Sequence, residues 1–226
     1  MSVSKRHREN REAVDSEARY ELSQAISILQ NSKKTKFEES VDVAINLGID
    51  PKQSDQNIRG SAALPNGTGK TLRIAVFAEG DEAKDAKEAG ADKIGMDDLA
   101  EEVKSGNMDF DMVIATPSSM KLVGQLGQIL GPKGLMPNPK DGTVTNNVKD
   151  AVTNAKKGQA MYRSDKAGII HCSIGKVSFK GQEIEENFNA LIDDIKKSRP
   201  SSTKGAFIKT IIMSSTMGPG IKIKES

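Results

Sequence analysis

Tryptophan is missing from this 226-residue chain, and cysteine occurs once, at Cys172. A single thiol excludes an intrachain disulfide framework and any multi-cysteine zinc site, and it fits a reducing cytoplasm. Histidine occurs only at His7 and His171, which leaves little for metal or acid–base chemistry. No stretch approaches the roughly eighteen apolar residues of a membrane span, so no membrane partner is expected. The first eleven residues are polar and basic and do not read as a secretory signal. Two tyrosines and six phenylalanines are too few for the base-stacking platforms of single-strand binders. If the chain binds nucleic acid, it should read the shape and backbone of folded RNA.

Net charge is also small, at +2, but it is unevenly placed. Residues 1–70 carry 11 basic and 10 acidic side chains, residues 71–158 carry 11 and 14, and residues 159–226 carry 11 and 7. The acidic block of 71–111, with 5 basic and 12 acidic groups, sits between basic flanks. Two readings are open: solvated helix faces, or a polyanion-binding surface built from the two ends.

Periodicity divides the chain in the same way. Residues 1–15 lack apolar spacing and read as a mobile arm. Leu22, Ala25, Ile26 and Leu29 repeat at helical spacing. From Phe37 to Leu47 the period is two, which predicts a half-buried strand; Ile58 to Leu64 predicts another. The breaker cluster Pro65–Gly69 marks a joint. Between it and Gly158 the texture is that of a parallel α/β unit: strands at 72–78, 92–94 and 112–115 alternate with helices at 81–89 and 98–104, and helices up to Leu130 and from Val148 follow. Beyond it come strands at 160–163, 168–174 and 177–179, an amphipathic helix striped by Ile184, Phe188, Leu191, Ile192 and Ile195, and a strand at 207–215. The expected fold class is therefore α/β plus α+β in two domains. Residues 1–67 and 159–226 form one discontinuous domain, and residues 68–158 form an inserted α/β domain.

Catalytic motifs fail on inspection. Asn66-Gly67-Thr68-Gly69-Lys70-Thr71 lacks the first glycine of a phosphate loop, because position 64 is leucine, and a strand follows it where a helix is needed. His171 and Cys172 are neighbours on a strand, point to opposite faces and cannot form a dyad. His171 remains able to offer a donor to phosphate. No enzyme activity and no cofactor are expected. Three segments stay open between an ordinary structural role and a contact with RNA. They are the strand start Lys36–Ser40, the strand end Ser214-Ser215-Thr216-Met217-Gly218, and the loop Gly127–Lys140, whose three prolines and three glycines hold Lys133 and Lys140.

That loop, GQLGQILGPKGLMPNPKDGTV over residues 124–144, resembles the signature of the bacterial family of large-subunit ribosomal protein number one. Three further blocks in the same order carry the resemblance across nearly the whole chain: KFEESVDVAINLGIDPKQSDQNIRG from Lys36, SDKAGIIHCSIGKVSF from Ser164 and SSTMGPG from Ser214. The resemblance implies a discontinuous first domain with a split β-α-β core and an inserted Rossmann-like, three-layer second domain. It implies direct binding to a 23S ribosomal RNA stalk, chiefly through Lys36, Phe37, Glu39, Ser40, Thr216, Met217 and Gly218. It also implies help in releasing deacylated tRNA from the exit site and repression of the chain's own operon through an mRNA leader. The expected state is cytoplasmic, ribosome-bound and monomeric when free. Where the family shows a threonine-rich strand end, this chain has Ser214 and Ser215, whose hydroxyls make the same hydrogen bonds. The rival functions are a dedicated mRNA repressor outside the ribosome and a two-domain nucleotide-binding enzyme.

Overall fold

The computed structural model describes residues 4–15, 17–33, 35–203 and 205–224, without the side chain of residue 54. Its contacts divide the chain into two units. One comprises the residues up to Gly69 together with those from Ala160 onward; the other is Lys70–Gln159.

The first unit is built on an antiparallel sheet in the order β7-β1-β8-β9, formed by β1 (Ser40–Leu47), β7 (Ile169–Lys176), β8 (Ile208–Ser215) and β9 (Ile221–Ile223). Strict alternation in β1 turns Val41, Val43, Ile45 and Leu47 inward. The register aligns them with Cys172 and Ile170 on β7 and with Met213 and Ile211 on β8, so one face of the sheet is continuously apolar. Two helices cover it: α2 (Leu22–Asn31) through Ala25, Ile26 and Leu29, and α8 (Gly181–Lys197) through Ile184, Phe188, Leu191, Ile192 and Ile195. The Glu183 carboxylate accepts the Lys180 N–H at 2.9 Å at the start of α8, and Lys196 and Lys197 close its last turn. A two-stranded ribbon pairs β2 (Arg59–Ala63) with β6 (Gln159–Arg163).

The other face of the sheet carries Ser40, Asp42, Ala44, His171, Ser173, Ile212 and Ser214, half-buried or exposed, and Asp42, Ala44, His171, Ser173 and Ser214 line a shallow depression there. Cys172 points the other way, buried, and its thiol is pushed up to about 12 by burial, with Asp42 adding to the shift. Ellman's reagent at pH 8 is therefore expected to find no reactive thiol until denaturant unfolds this unit. Rapid stoichiometric reaction of the native protein would contradict the packing of β7.

The second unit is a three-stranded parallel sheet, β4-β3-β5, made of β3 (Ile74–Phe77), β4 (Lys93–Gly95) and β5 (Met112–Ala115). Ile74, Val76, Met112 and Ile114 pack on α3 (Gly80–Glu88) and α7 (Val148–Gly158). Ala75, Phe77, Val113 and Ala115 pack on α4 (Asp97–Lys104), α5 (Met120–Gln125) and α6 (Gly127–Leu130). That is the three-layer arrangement expected of strands apolar on both faces.

Four local expectations need correction. The stretch read as a mobile arm contains helix α1 (Lys5–Glu12), capped by Ser4 and fastened by Asn10, which is buried and bonds both the N–H (3.0 Å) and the carbonyl (3.3 Å) of Lys33. Polar docking of this kind leaves no apolar period to read. Phe37 lies outside β1, which starts only at Ser40. Residues 177–179 are a turn closed by Phe179 N–H on the Lys176 carbonyl at 3.1 Å, where a third strand was expected. The short β9 was not anticipated; it folds back on β8, the strand just before it, and through one bridge it meets the distant Tyr20.

Candidate nucleic-acid interface

Because β1 and β8 run antiparallel with Val41 opposite Ser215, the segment entering β1 and the segment leaving β8 meet at one end of the sheet. Positions some 175 residues apart become hydrogen-bonded neighbours. The Ser40 N–H donates to Thr216 Oγ1 at 3.0 Å, and the Thr216 N–H donates to the Ser40 carbonyl at 3.1 Å. Glu39, although a carboxylate, is buried; it accepts from the Met217 N–H at 3.1 Å and from Ser215 Oγ at 3.3 Å. The Gly218 N–H returns to the Ser215 carbonyl at 3.1 Å and closes the turn. A Cβ at Gly218 would stand 2.4 Å from Ser215 Oγ, so the turn needs glycine for space.

At this lattice two apolar side chains stand out in water, Met217 within it and Phe37 two residues before Glu39. Phe37 is 54% and Met217 49% exposed, the two most exposed large apolar side chains among the described residues. Basic groups stand beside them: Lys36 is exposed, and Lys176 Nζ reaches Ser40 Oγ at 3.4 Å. Ser215 is turned inward onto Glu39, so these two side chains serve to position the turn, while Thr216 and Met217 face out. Ser214, one residue earlier, lies on the open face opposite Asp42.

His171 stands four register steps along, opposite Ala44, about 13 Å from the Ser40 position at the usual strand rise. It is exposed, with Nε2 3.7 Å from Asp165 Oδ2. The Asp165 carboxyl is held below its ordinary range, first by the Ile169 N–H, at 2.8 Å, and also by the Ala167 N–H and His171. Lys133 and Lys140 belong to the other unit. Both are exposed on a loop fastened by Asn138, which accepts the Lys140 N–H at 2.8 Å, and turned by Gly142 at φ 71°. Sequence reasoning missed Lys176 and Arg6; the latter's guanidinium lies 4.0 Å from the Glu39 carboxylate. Neither belongs to a motif, and only the sheet register and the docking of α1 reveal them. Among the described residues no group of three His, Cys, Asp or Glu is placed to hold a metal ion, and no helix is long and apolar enough to cross a membrane.

Comparison with known proteins bears on the same residues. The model of the Ribosomal protein L1p/L10e family matches residues 29–219, a span that includes both strand ends and the rigid loop. Over 224 residues, covering 99% of this chain and 97% of each relative, the chain is 58% identical to the large ribosomal subunit protein uL1 of Thioalkalivibrio sulfidiphilus. Over the same span it is 59% identical to that of Francisella philomiragia and 57% identical to that of Coxiella burnetii. Likeness of this extent, over 99% of the chain, leaves one assignment: the chain belongs to the Ribosomal protein L1p/L10e family.

Proposed function

We propose that this chain is a structural constituent of the large ribosomal subunit in the cytoplasm, and that it binds ribosomal RNA through the end of the first unit where β1 begins and β8 ends. The observation that carries this reading is the hydrogen-bonded turn that joins Glu39 and Ser40 to Ser215–Gly218 and exposes Phe37 and Met217. Apolar side chains pack on sugar and base faces, exposed hydroxyls and backbone groups meet 2′-hydroxyls and phosphates, and lysines neutralise the backbone. A surface held rigid before binding suits a folded RNA stalk. His171 and Ser214 extend it along the open face of the sheet, and Lys133 and Lys140 give the second unit a lesser contact.

The finer reading rests on the same surface. Its RNA target is the stalk of 23S ribosomal RNA, where the protein assists release of deacylated tRNA from the exit site. An mRNA leader of the same shape competes for that surface and lets the free protein repress its own operon. The two units act as separate domains, bounded near residues 67–69 and 158–160. Support for this comes from their separate apolar cores and from the basic charge of the chain's ends.

Thr216→Ala and Ser40→Ala are each expected to cost roughly 1–3 kcal/mol of affinity for 23S ribosomal RNA, as for a polar partner left unpaired. Met217→Asp, which adds a negative charge facing phosphates, should cost more. All three positions are at least partly exposed, so melting temperatures should stay near wild type. Wild-type affinity in all three variants would remove this end of the sheet from the RNA interface.

A further inference from the structure

Helix α1 carries four Lys or Arg residues and His7 among eight positions, and it is docked beside the turn just described. Its inner face is set by Arg6, Glu9 and Asn10, at the spacing that places side chains on one side of a helix. Asn10 clasps the backbone of Lys33, Glu9 pairs with the Lys33 ammonium, and Arg6 reaches Glu39 at 4.0 Å. The Arg6 Nη1 is buried and has no hydrogen-bond partner. Lys5, Arg8 and Arg11 repeat at three-residue spacing on the outer face; all are exposed, and among the described residues none is ion-paired. Like charges at this spacing repel one another, and a bound polyanion relieves the repulsion.

We propose that α1 is a second element of the RNA interface with two separable tasks. Lys5, Arg8 and Arg11 contact successive phosphates of the RNA that flanks the β1–β8 turn. Arg6 is a positioning residue: it faces the carboxylate that holds Met217 and Ser215, and so couples docking of the helix to the shape of the turn. The proposal rests on the RNA reading above and adds to it which part supplies charge and which supplies fit. Phosphate neutralisation makes affinity fall with salt in proportion to the number of contacts, whereas the fit of a preformed turn depends little on salt.

The test titrates the full chain with a 23S ribosomal RNA transcript and with an unrelated transcript of equal length, between about 50 and 500 mM salt. The triple variant Lys5→Gln, Arg8→Gln, Arg11→Gln is expected to lose about two to three from the log–log salt slope. Its affinity should drop about tenfold to a hundredfold at low salt, with the preference for ribosomal RNA retained. Arg6→Gln is expected to do the opposite, keeping the slope within about one while the preference falls several-fold. Arg8→Glu serves as a single substitution should the triple variant lose helicity, and it should lower the slope by at least one. A wild-type slope in both the triple variant and Arg8→Glu overturns the phosphate role of α1, and a wild-type preference in Arg6→Gln overturns its positioning role. Met217→Asp, measured alongside, separates the two levels: if it loses binding while the α1 variants do not, only this inference fails, and if it binds like wild type, the reading beneath fails.

Discussion

Glu39→Ala is expected to lower affinity for 23S ribosomal RNA by two orders of magnitude or more. The carboxylate is only 7% exposed, yet three groups converge on it: the Met217 N–H, Ser215 Oγ and the Arg6 guanidinium. Truncation leaves two donors without their acceptor and the Arg6 guanidinium without its counter-charge. An unmade buried bond costs about 1–3 kcal/mol, and more next to a charge. Part of that cost is met by the turn letting go, which takes Thr216 and Met217 out of their fixed, exposed positions. A loss of about 3 kcal/mol corresponds to slightly more than a hundredfold in binding. Glu39→Gln keeps an acceptor for the Met217 N–H, and the Ser215 hydroxyl can rotate to accept from the new amide. It should therefore cost roughly tenfold. Filter binding of the three proteins against one transcript measures the series, and equal affinities would mean that the buried carboxylate does not set the turn.

Asn187→Ala should produce the largest loss of stability. Asn187 lies in the middle of α8 and is wholly buried. Its amide donates to the Gly67 carbonyl at 2.9 Å and to the Ile174 carbonyl at 2.8 Å, while its Oδ1 accepts the Asn66 N–H at 3.0 Å. One side chain thus ties together the segment that leaves the first unit, the end of β7 and the helix. Alanine leaves three backbone groups without this partner and opens a small cavity, for a loss of about 3–5 kcal/mol. At roughly 2–4 °C per kcal/mol, the thermal midpoint should fall by about 6–20 °C. RNA affinity measured well below that midpoint should be almost unchanged, because Asn187 bonds none of the turn residues. A shift of only a degree or two by differential scanning calorimetry would show that water replaces the amide without penalty.

What could be read from the sequence follows from which forces leave a local trace. Apolar periodicity found the buried face of α2 and drew the stripe of α8, because burial of a helix face requires that spacing. The alternation in β1 told which residues face inward, but it carried back to Phe37, where the chain is no longer in the strand. There the pattern continues only because Glu39 also points inward, for a polar reason that hydropathy cannot express. The same limit hid α1, which docks through an asparagine and an arginine. Ser214 and Ser215 look equivalent in sequence, and only the pairing of Val41 with Ser215 assigns one to the open face and the other to the lattice beneath Met217. Lys176 joined the site through a cross-strand register that local pattern does not encode.

The proposed RNA surface lies on the first unit, at the junction of β1 and β8. Ultraviolet cross-linking of the intact protein to 23S ribosomal RNA, followed by mass spectrometry of the RNA-bearing peptides, addresses it in a single measurement. Phe37 and Met217 are the exposed apolar groups poised to lie against bases. The dominant cross-linked peptides are expected to contain these two residues, with a lesser yield around Lys133 and Lys140. Cross-links confined to residues 70–159, with none in 36–40 or 214–218, would contradict that placement.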